Sequence, residues 1–268
     1  MDVRPKTEWD LSESLAEIQE TYLAPAMYAQ WAIRLTAMAH IDSGHHVLDV
    51  GCGTGILARK AVEEVGFTGK VTGIDHDQDM IAVAARKAPN IDWRVGDPSQ
   101  LPFDDESFDR VVSQFFLPHT KNRVRLLKEM MRVLKPGGRM ALAVWAPLQH
   151  SPAFNALAQL VQDQGNARAF KVFATPWELG HEHKIRSVIS SSGAQISSIS
   201  REKGTARFPN PEAILALWLD RAPVSKELDE AARKRIPLHA LDPLSQFRAS
   251  TGELVCPMDA TVVTVDKR

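Results

Sequence analysis

The chain has 268 residues and a formal net charge of -1, so it is long enough for one large α/β domain and offers no polybasic surface for nucleic acid or an anionic membrane. Hydrophobic residues make up 44% of it, which is typical of a globular protein, and its two cysteines do not suggest a disulfide framework. Its first residues show no apolar signal segment, and no apolar run reaches the roughly 18–20 residues that span a bilayer, so we expect a cytoplasmic protein without a membrane span.

The first predicted elements are two helices, at residues 11–20 and 25–40, the second rich in Ala, Met, Ile and Leu. Ser43-Gly44 ends this segment, so residues 1–45 are treated as a helical cap before the core. The aromatic side chains of the cap include Tyr22, Tyr28 and Trp31. Such a cap either packs on the core or covers a ligand, and both interpretations stay open.

A glycine-rich turn follows the first strand. The apolar run around Val47–Val50 is typical of a strand that is buried on both faces. Glycines then stand at alternate positions, Gly51, Gly53 and Gly55, before a predicted helix at residues 56–65. A strand, a glycine turn and a helix in this order can present backbone N–H groups and the positive end of a helix dipole to a ligand.

The spacing of these glycines separates two classes of nucleotide-type ligand. A dinucleotide fingerprint needs a glycine at the sixth position, where this chain has Ile56. Asp49, inside the strand, would repel a pyrophosphate but could pair with an ammonium group. The run from Leu48 to Gly55 resembles the first motif of the class I S-adenosylmethionine-dependent methyltransferases. An NAD(P)-dependent oxidoreductase is the alternative that this pattern disfavours.

Two further strands continue the pattern. The strand at residues 70–75 ends in Asp75, which lies near the roughly 20-residue distance at which βαβ units place an acid on ribose hydroxyls. A helix through residues 79–86 follows, in which Met80 either covers an adenine face or packs in the core. After a strand at residues 91–95 comes Asp97, at the position where the resembled family binds the adenine amino group. Pro98 departs from that family, because proline has no N–H to donate.

The next strands lead to the rim of the expected sheet. A strand at residues 110–114 precedes His119, a helix is predicted at residues 122–134, and Pro136-Gly-Gly138 stops it before a strand at residues 140–145. The ligands of open α/β sheets bind at the carboxyl ends of the strands. His119 is therefore a candidate general base, or else it lines the pocket through its shape alone. The resemblance covers residues 46–146, the cofactor-binding core.

The remaining chain carries helices and two strand patterns. Residues 147–176 and 209–250 are interpreted as helical substrate-cap inserts, and residues 195–201 and 260–266 as paired antiparallel strands at the far edge of the sheet. Apolar and aromatic side chains crowd the second insert, so we expect a mobile lid over a mainly apolar acceptor site. No H-E-x-x-H motif or cysteine pair supports a metal.

The resemblance implies a doubly wound α/β fold, with a seven-stranded, mostly parallel, Rossmann-like sheet and helical caps. It further implies methyl transfer from S-adenosylmethionine to a small apolar molecule, as in the quinone-biosynthesis type, with the acceptor atom (O, N or C) left open. A non-catalytic protein that binds the cofactor is the second alternative, and the chain is expected to be a monomer or a homodimer. The residues expected to contact the cofactor are Tyr28, Asp49, Gly51, Cys52, Gly53, Gly55, Asp75, His76, Met80, Gly96, Asp97, Pro98, Gln114 and Phe115.

Overall fold

The computed structural model describes residues 12–268, and its centre is a seven-stranded sheet. The strands of this sheet are β1 (His46–Val50), β2 (Lys70–Asp75), β3 (Asp92–Val95), β4 (Phe108–Gln114), β5 (Leu134–Trp145), β6 (Ser198–Glu202) and β9 (Ala260–Asp266). Two short strands, β7 (Thr205–Phe208) and β8 (Leu254–Pro257), form a separate antiparallel pair.

The strand order is β3-β2-β1-β4-β5-β9-β6, with every strand parallel except β9. The prediction of a doubly wound, mostly parallel seven-stranded sheet is therefore confirmed. The order reverses between β1 and β4, which is the point where such sheets bind ligands. At the far edge β9 pairs with both β5 and β6, and the outer strand β6 begins three residues later than the predicted range of 195–201.

Ten α-helices and two π-helical segments surround the sheet in the described chain. The α-helices are α1 (Leu15–Ile18), α2 (Ala29–Met38), α3 (Ile56–Val65), α4 (Gln78–Lys87), α5 (Arg123–Val133), α6 (Pro152–Gln164), α7 (Ala167–Ala174), α8 (Glu182–Ser191), α9 (Pro211–Ala216) and α10 (Glu230–Ser245). The π-helical segments are Gln19–Tyr28 and Leu217–Arg221.

The N-terminal cap differs from its prediction. One helical run extends from Leu15 to Met38, where two helices were predicted; residue 11, the predicted start, lies outside the described residues. Pro25 lies inside the π-helical part, and because proline lacks an N–H, the hydrogen-bond ladder cannot run through it as a regular α-helix. Pro25, the predicted start of the second helix, is instead the site of a distortion within one continuous helical run.

Strand β5 is longer than predicted. It begins at Leu134, which pairs with Phe108, and the register then shifts before the pairing of Arg110 with Arg139. This irregularity takes up the Pro-Gly-Gly turn that was interpreted as a helix stop. The strands β7 and β8 were not predicted, because each has only four residues; the alternation of polar and apolar side chains in β7 is too short to indicate a strand, and β8 does not alternate.

Two apolar clusters hold the layers together, one on each face of the sheet. The larger cluster includes fully buried side chains from the predicted inserts, such as Phe154 on α6 and Ile236 on α10. The range 147–176 contains α6 and α7, and the range 209–250 contains α9 and α10. Because these helices share a core with α2 and α3, the inserts have no core of their own.

Candidate functional site

A cavity of about 660 Å³ opens at the carboxyl ends of β1, β2 and β4, beneath the N-terminal run and the segment Leu217–Arg221. Its volume lies within the range of small-molecule sites. The predicted site residues that line it are Tyr28, Asp49, Gly51, Cys52, Gly53, Asp75, His76, Met80, Gln114, Phe115 and His119. Between residues 12 and 268 no group of three metal-ligating side chains gathers, and no helix is long and apolar enough to cross a membrane.

The glycine turn forms the floor of the cavity, and two of its glycines are required by close contacts. A side chain at Gly51, whose φ is 70°, would place its Cβ 2.0 Å from the ring of Phe116. A Cβ at Gly55, with a φ of 84°, would meet the Trp93 ring at 2.3 Å. The turn needs glycine at these two positions because of neighbouring aromatic rings as well as its left-handed backbone.

The turn offers few free donors to a ligand, contrary to the expectation from its pattern. The N–H groups of Gly51 and Cys52 both donate to the carbonyl of Ile74, at 2.8 and 3.1 Å. That of Gly53 donates to Asp75 Oδ2 at 2.8 Å, and that of Gly55 to the Cys52 carbonyl at 2.9 Å. Most of the turn's backbone donors are therefore used to tie it to β2.

Asp49 is a buried carboxylate beneath this turn. The residue is 1% exposed, and neither of its oxygens has a hydrogen-bond partner among the described residues. Burial raises the pKa of Asp49 to about 8; the nearby Asp75 adds to the rise, and the N–H of Ala58, outside hydrogen-bonding geometry, opposes it. An unpaired buried carboxylate is costly unless a cation compensates it, so this position suits a ligand that carries an ammonium group.

Replacement of Asp49 by asparagine is expected to stabilise the free protein at pH 9. The pKa of Asp49 is about 8 in the folded protein and 3.8 for an unperturbed aspartic acid. The free energy of unfolding therefore falls progressively as the pH rises from 3.8 to about 8, and the loss stays constant above that range. The variant should have a higher Tm than the parent at pH 9, and the difference should shrink toward pH 4. Thermal unfolding across this pH range is the measurement, and a difference that does not depend on pH would contradict the assignment.

Asp75 lies at the end of β2, beside the turn. It is 4% exposed, and its Oδ1 accepts from the N–H of Asp77 at 3.0 Å, in addition to the Gly53 contact of Oδ2. His76 Nδ1 lies 3.2 Å from Oδ1, and Met80 on α4 also lines the cavity. Each oxygen of a carboxylate can accept more than one hydrogen bond, so Asp75 retains capacity for a ligand's hydroxyl groups.

Four predicted contacts do not line the cavity: Gly55, Gly96, Asp97 and Pro98. Gly55 caps α3 and packs on Trp93 instead. The carboxylate of Asp97 accepts from the N–H and the hydroxyl of Ser99, both at 2.8 Å, and these hydrogen bonds lower its pKa. Asp97 thus forms a local Asx turn, and its contact with an adenine amino group stays a prediction.

The opposite half of the cavity is aromatic. The rings of Phe115 and Trp145 stack at 3.6 Å with an angle of 8°, and the Tyr28 ring lies 5.8 Å from that of Phe115. Phe115 has a φ of 59°, a strained conformation for a bulky residue that often marks functional sites. Burial raises the pKa of Tyr28 to about 12, so its phenol is neutral at physiological pH. Gln114 donates to the Tyr28 carbonyl at 3.3 Å, while its Oε1 has no partner in the described chain.

His119 ends a short helical turn after β4 and lies on the cavity wall. Surrounding protein, and then the guanidinium of Arg123, lower the pKa of its imidazole. No other described side chain forms a hydrogen bond or an ion pair with the ring. A neutral imidazole that faces the cavity without a partner is able to accept a proton.

Several residues that line the cavity were not predicted from the sequence to belong to the site. They are Gln19, Phe116, Phe173, Trp177 and Arg221, together with Trp218 of the second insert, where a lid was expected. They come from the cap, from the segment after β4, from both inserts and, for Trp177, from the position just after the first insert, so their distance along the chain hides their proximity. Only Phe116 had a local signal, because it follows Gln114 and Phe115 at the carboxyl end of a strand.

Comparison with known proteins places this geometry in context. A family model described as a methyltransferase domain matches residues 47–138. The chain is 42% identical over 120 residues to the chloroplastic 2-phytyl-1,4-beta-naphthoquinone methyltransferase of Arabidopsis thaliana, covering 42% of this chain and 46% of the relative. It is 32% identical over 169 residues to the 2-phytyl-1,4-naphtoquinone methyltransferase of Synechocystis sp., covering 61% of this chain and 69% of that protein.

The matched stretch thus spans about half the length of the first relative and about two thirds of the second. A crystal structure of a candidate methyltransferase from Bacillus halodurans aligns with a TM-score of 0.60 and 20% identity, over 88% of this chain and 98% of that one. At that identity the likeness shows a shared fold alone.

Proposed function

The chain belongs to the family of S-adenosylmethionine-dependent methyltransferases, as its sequence motifs indicated, and from this premise we propose that it transfers a methyl group from S-adenosylmethionine to a small, mainly apolar acceptor. The observation that carries the proposal is the division of one cavity into two halves. Asp49, Asp75 and the glycine turn form a polar half beside an aromatic half around Phe115 and Trp145.

The residues of the polar half fit the cofactor. The unpaired carboxylate of Asp49 suits the ammonium group of the methionine part, and Asp75 suits the ribose hydroxyls. Because both oxygens of Asp49 are buried beneath the turn, we propose that a water or a small movement of the turn connects them to the ammonium group. Met80 and His76 then border the nucleoside part of the site.

The acceptor that we propose is a quinol-type ring. The relatives named above act on phytyl-substituted naphthoquinones, and the aromatic half of this cavity suits the stacking of a flat, uncharged ring. A match of 120 residues cannot include both the core at residues 47–138 and the two inserts, so the first relative supports the class of ring more than its substituents. A net charge of -1 favours such a ligand over a nucleic acid.

The chemistry is an in-line displacement, for which the bound cofactor supplies a methyl group on a positively charged sulfur. The residues of this chain hold donor and acceptor in line, and this positioning is worth several kcal/mol of the barrier. Trp145, Phe115 and Tyr28 orient the ring, and the cap excludes water. The acceptor's proton passes to a base as the new bond forms, and we propose that His119 Nδ1 or Nε2 takes it.

Replacement of His119 by phenylalanine is expected to reduce kcat by about 10²–10⁴-fold if the imidazole is the base. Because the pKa of His119 is lowered, the parent enzyme should keep full activity to below pH 6.5 before its rate declines. Arg123→Met removes one cause of the lowering, so it should move this acidic limb to higher pH. The measurement is kcat/KM against pH.

A histidine outside the cavity supplies the control for this pair. His239→Phe, on the exposed face of α10, should change neither kcat nor the position of the limb. Full turnover by His119→Phe at every pH would leave His119 as a residue that shapes the pocket.

We further propose that the segment Leu217–Arg221, in the second insert, moves as a lid against the run Leu15–Tyr28, which the Glu20–Arg59 ion pair ties to α3. Ile18, Tyr22 and Leu217 pack against each other in a small cluster at the mouth of the cavity, separate from the main core. Hydrogen exchange in both segments should slow when cofactor and acceptor are bound together. Equal rates of hydrogen exchange in the free and the ternary states would contradict the proposed lid.

A turnover assay tests the proposed function itself. S-adenosylhomocysteine release should be detected with a reduced naphthoquinone, and S-adenosylhomocysteine, but not NAD, should raise the Tm. Binding without turnover across a panel of quinols, phenols and amines would favour the non-catalytic alternative.

We also propose a reducing compartment such as the cytoplasm, which two buried free cysteines support. We further propose that the protein is a monomer or a homodimer, and light scattering can distinguish these two states.

A further inference from the structure

Gln19 lies directly over the glycine turn. Its Nε2 is 2.5 Å from the position that a Cβ would occupy on Gly53, so the amide covers the turn at this glycine. It also lines the cavity together with Asp49 and Gly51. Its side chain makes no hydrogen bond or ion pair within the described chain, so the amide has both donors and an acceptor to offer a ligand.

The position of Gln19 is set by its neighbour. Glu20 accepts from Arg59 on α3 at 2.9 and 3.0 Å, and the same guanidinium donates to the Thr54 carbonyl at 2.6 Å. The side chains of Glu20 and Arg59 are only 10% and 22% exposed, so this ion pair is well shielded. Arg59 therefore joins the cap to the glycine turn, and it holds Gln19 where the amide meets Gly53.

The methionine part of the cofactor carries an ammonium and a carboxylate on one carbon. An ammonium group beside Asp49 favours the ionised form of its buried carboxyl, and the ionised form then repels the cofactor's carboxylate. The carboxylate then needs donors on the cap side, yet the N–H groups of Gly51, Cys52, Gly53 and Gly55 are already used inside the protein. Gln19 supplies an unused N–H group at that position.

We infer that the side-chain amide of Gln19 donates a hydrogen bond to the methionine carboxylate of the cofactor. The inference rests on the proposed function, because it names a further binding residue for the same cofactor. Arg221 is the competing donor, since it is the one arginine or lysine that lines the cavity in the described chain. Its guanidinium already donates to the Glu13 carbonyl at 2.6 Å, which holds it near the start of the cap.

Two ligands separate this contact from the rest of the site. S-adenosylhomocysteine carries the amino-acid group, and 5′-methylthioadenosine has the same nucleoside without it. In calorimetric titrations Gln19→Leu should lower the affinity for S-adenosylhomocysteine by about 10–100-fold, because a hydrogen bond to a charged group is lost. The affinity for 5′-methylthioadenosine should stay within about twofold of the parent's. Gln19→Glu should weaken S-adenosylhomocysteine further, because two carboxylates would then face each other.

One control variant and one variant of the competing donor complete the experiment. Gln162→Leu, the same change on an exposed face of α6, and Arg221→Met should leave the ratio of the two affinities unchanged. The inference would be overturned if Gln19→Leu left the ratio of the two affinities unchanged, or if Arg221→Met lost affinity for S-adenosylhomocysteine alone. Either result would leave the proposed function intact. A parent protein that binds neither ligand would overturn both.

Discussion

Gly51→Ala is expected to abolish cofactor binding and to destabilise the fold by about 2–5 kcal/mol. An alanine at a φ of 70° costs roughly 1–2 kcal/mol, since its Cβ crowds the following carbonyl. The new methyl group would also overlap the Phe116 ring at 2.0 Å, and overpacking of this kind adds about 1–3 kcal/mol. The ring can relieve the overlap only by moving, and both Phe116 and its neighbour His76 line the cavity.

A control and a rescue separate these two costs. Gly137 has a similar φ of 76°, and a Cβ there would have nothing within 4 Å. Gly137→Ala should therefore be destabilised by the backbone strain alone and should leave the affinity for the cofactor unchanged. Addition of Phe116→Ala to Gly51→Ala should recover the overpacking part of the loss in a double-mutant cycle. Chemical denaturation and titration with S-adenosylhomocysteine are the measurements. Equal losses in the two glycine variants would show that Phe116 is not the obstacle.

Asp75→Ala is expected to weaken S-adenosylhomocysteine binding by about 1.5–3 kcal/mol, because a charged acceptor for the ribose hydroxyls is lost. The change also leaves the Gly53 and Asp77 N–H groups without their acceptor, and an unsatisfied buried donor costs about 1–3 kcal/mol of stability. Asp75→Asn keeps one acceptor oxygen, so its losses should be intermediate. Titration calorimetry and denaturant unfolding measure the two effects separately.

Asp229→Ala is the matched control for Asp75→Ala. Asp229 caps α10 through the Ala232 N–H at 2.7 Å and does not line the cavity. Its loss should cost about 0.5–2 kcal/mol of stability without a change in affinity. Correctly folded Asp75→Ala protein that binds S-adenosylhomocysteine as the parent does would remove Asp75 from the ribose site.

The cofactor half of the site was largely predictable because its signals are short-range. Three alternate glycines after an apolar run define a strand, a turn and a helix within about twenty residues, and the acid that ends the next strand follows at a regular distance. Asp49, Gly51, Gly53 and Asp75 all line the cavity, and their contacts with the cofactor stay a prediction. The strand pairing agreed for the same reason, since a parallel sheet is built from successive local units.

The donors of the turn could not be predicted in this way. The pattern of glycines indicated free backbone N–H groups, but the structure uses those of Gly51, Cys52 and Gly53 to bind Ile74 and Asp75. Which partner an N–H group finds depends on how far β2 extends beside the turn. That register is set by packing across the sheet, and no local pattern records it.

The sequence by itself determined the order of the strands in the core, the end of the sheet where the cavity lies and the chemical type of the side chains expected there, because periodicity and glycine spacing act between near neighbours. Only the tertiary structure decided which distant side chains complete the cavity. Gln19 meets Gly53 through a cap helix that Arg59 and Glu20 hold in place, and Phe116 fills the space that glycine leaves at position 51. Such contacts join residues more than thirty positions apart, and they exist only after the sheet and both caps have packed together.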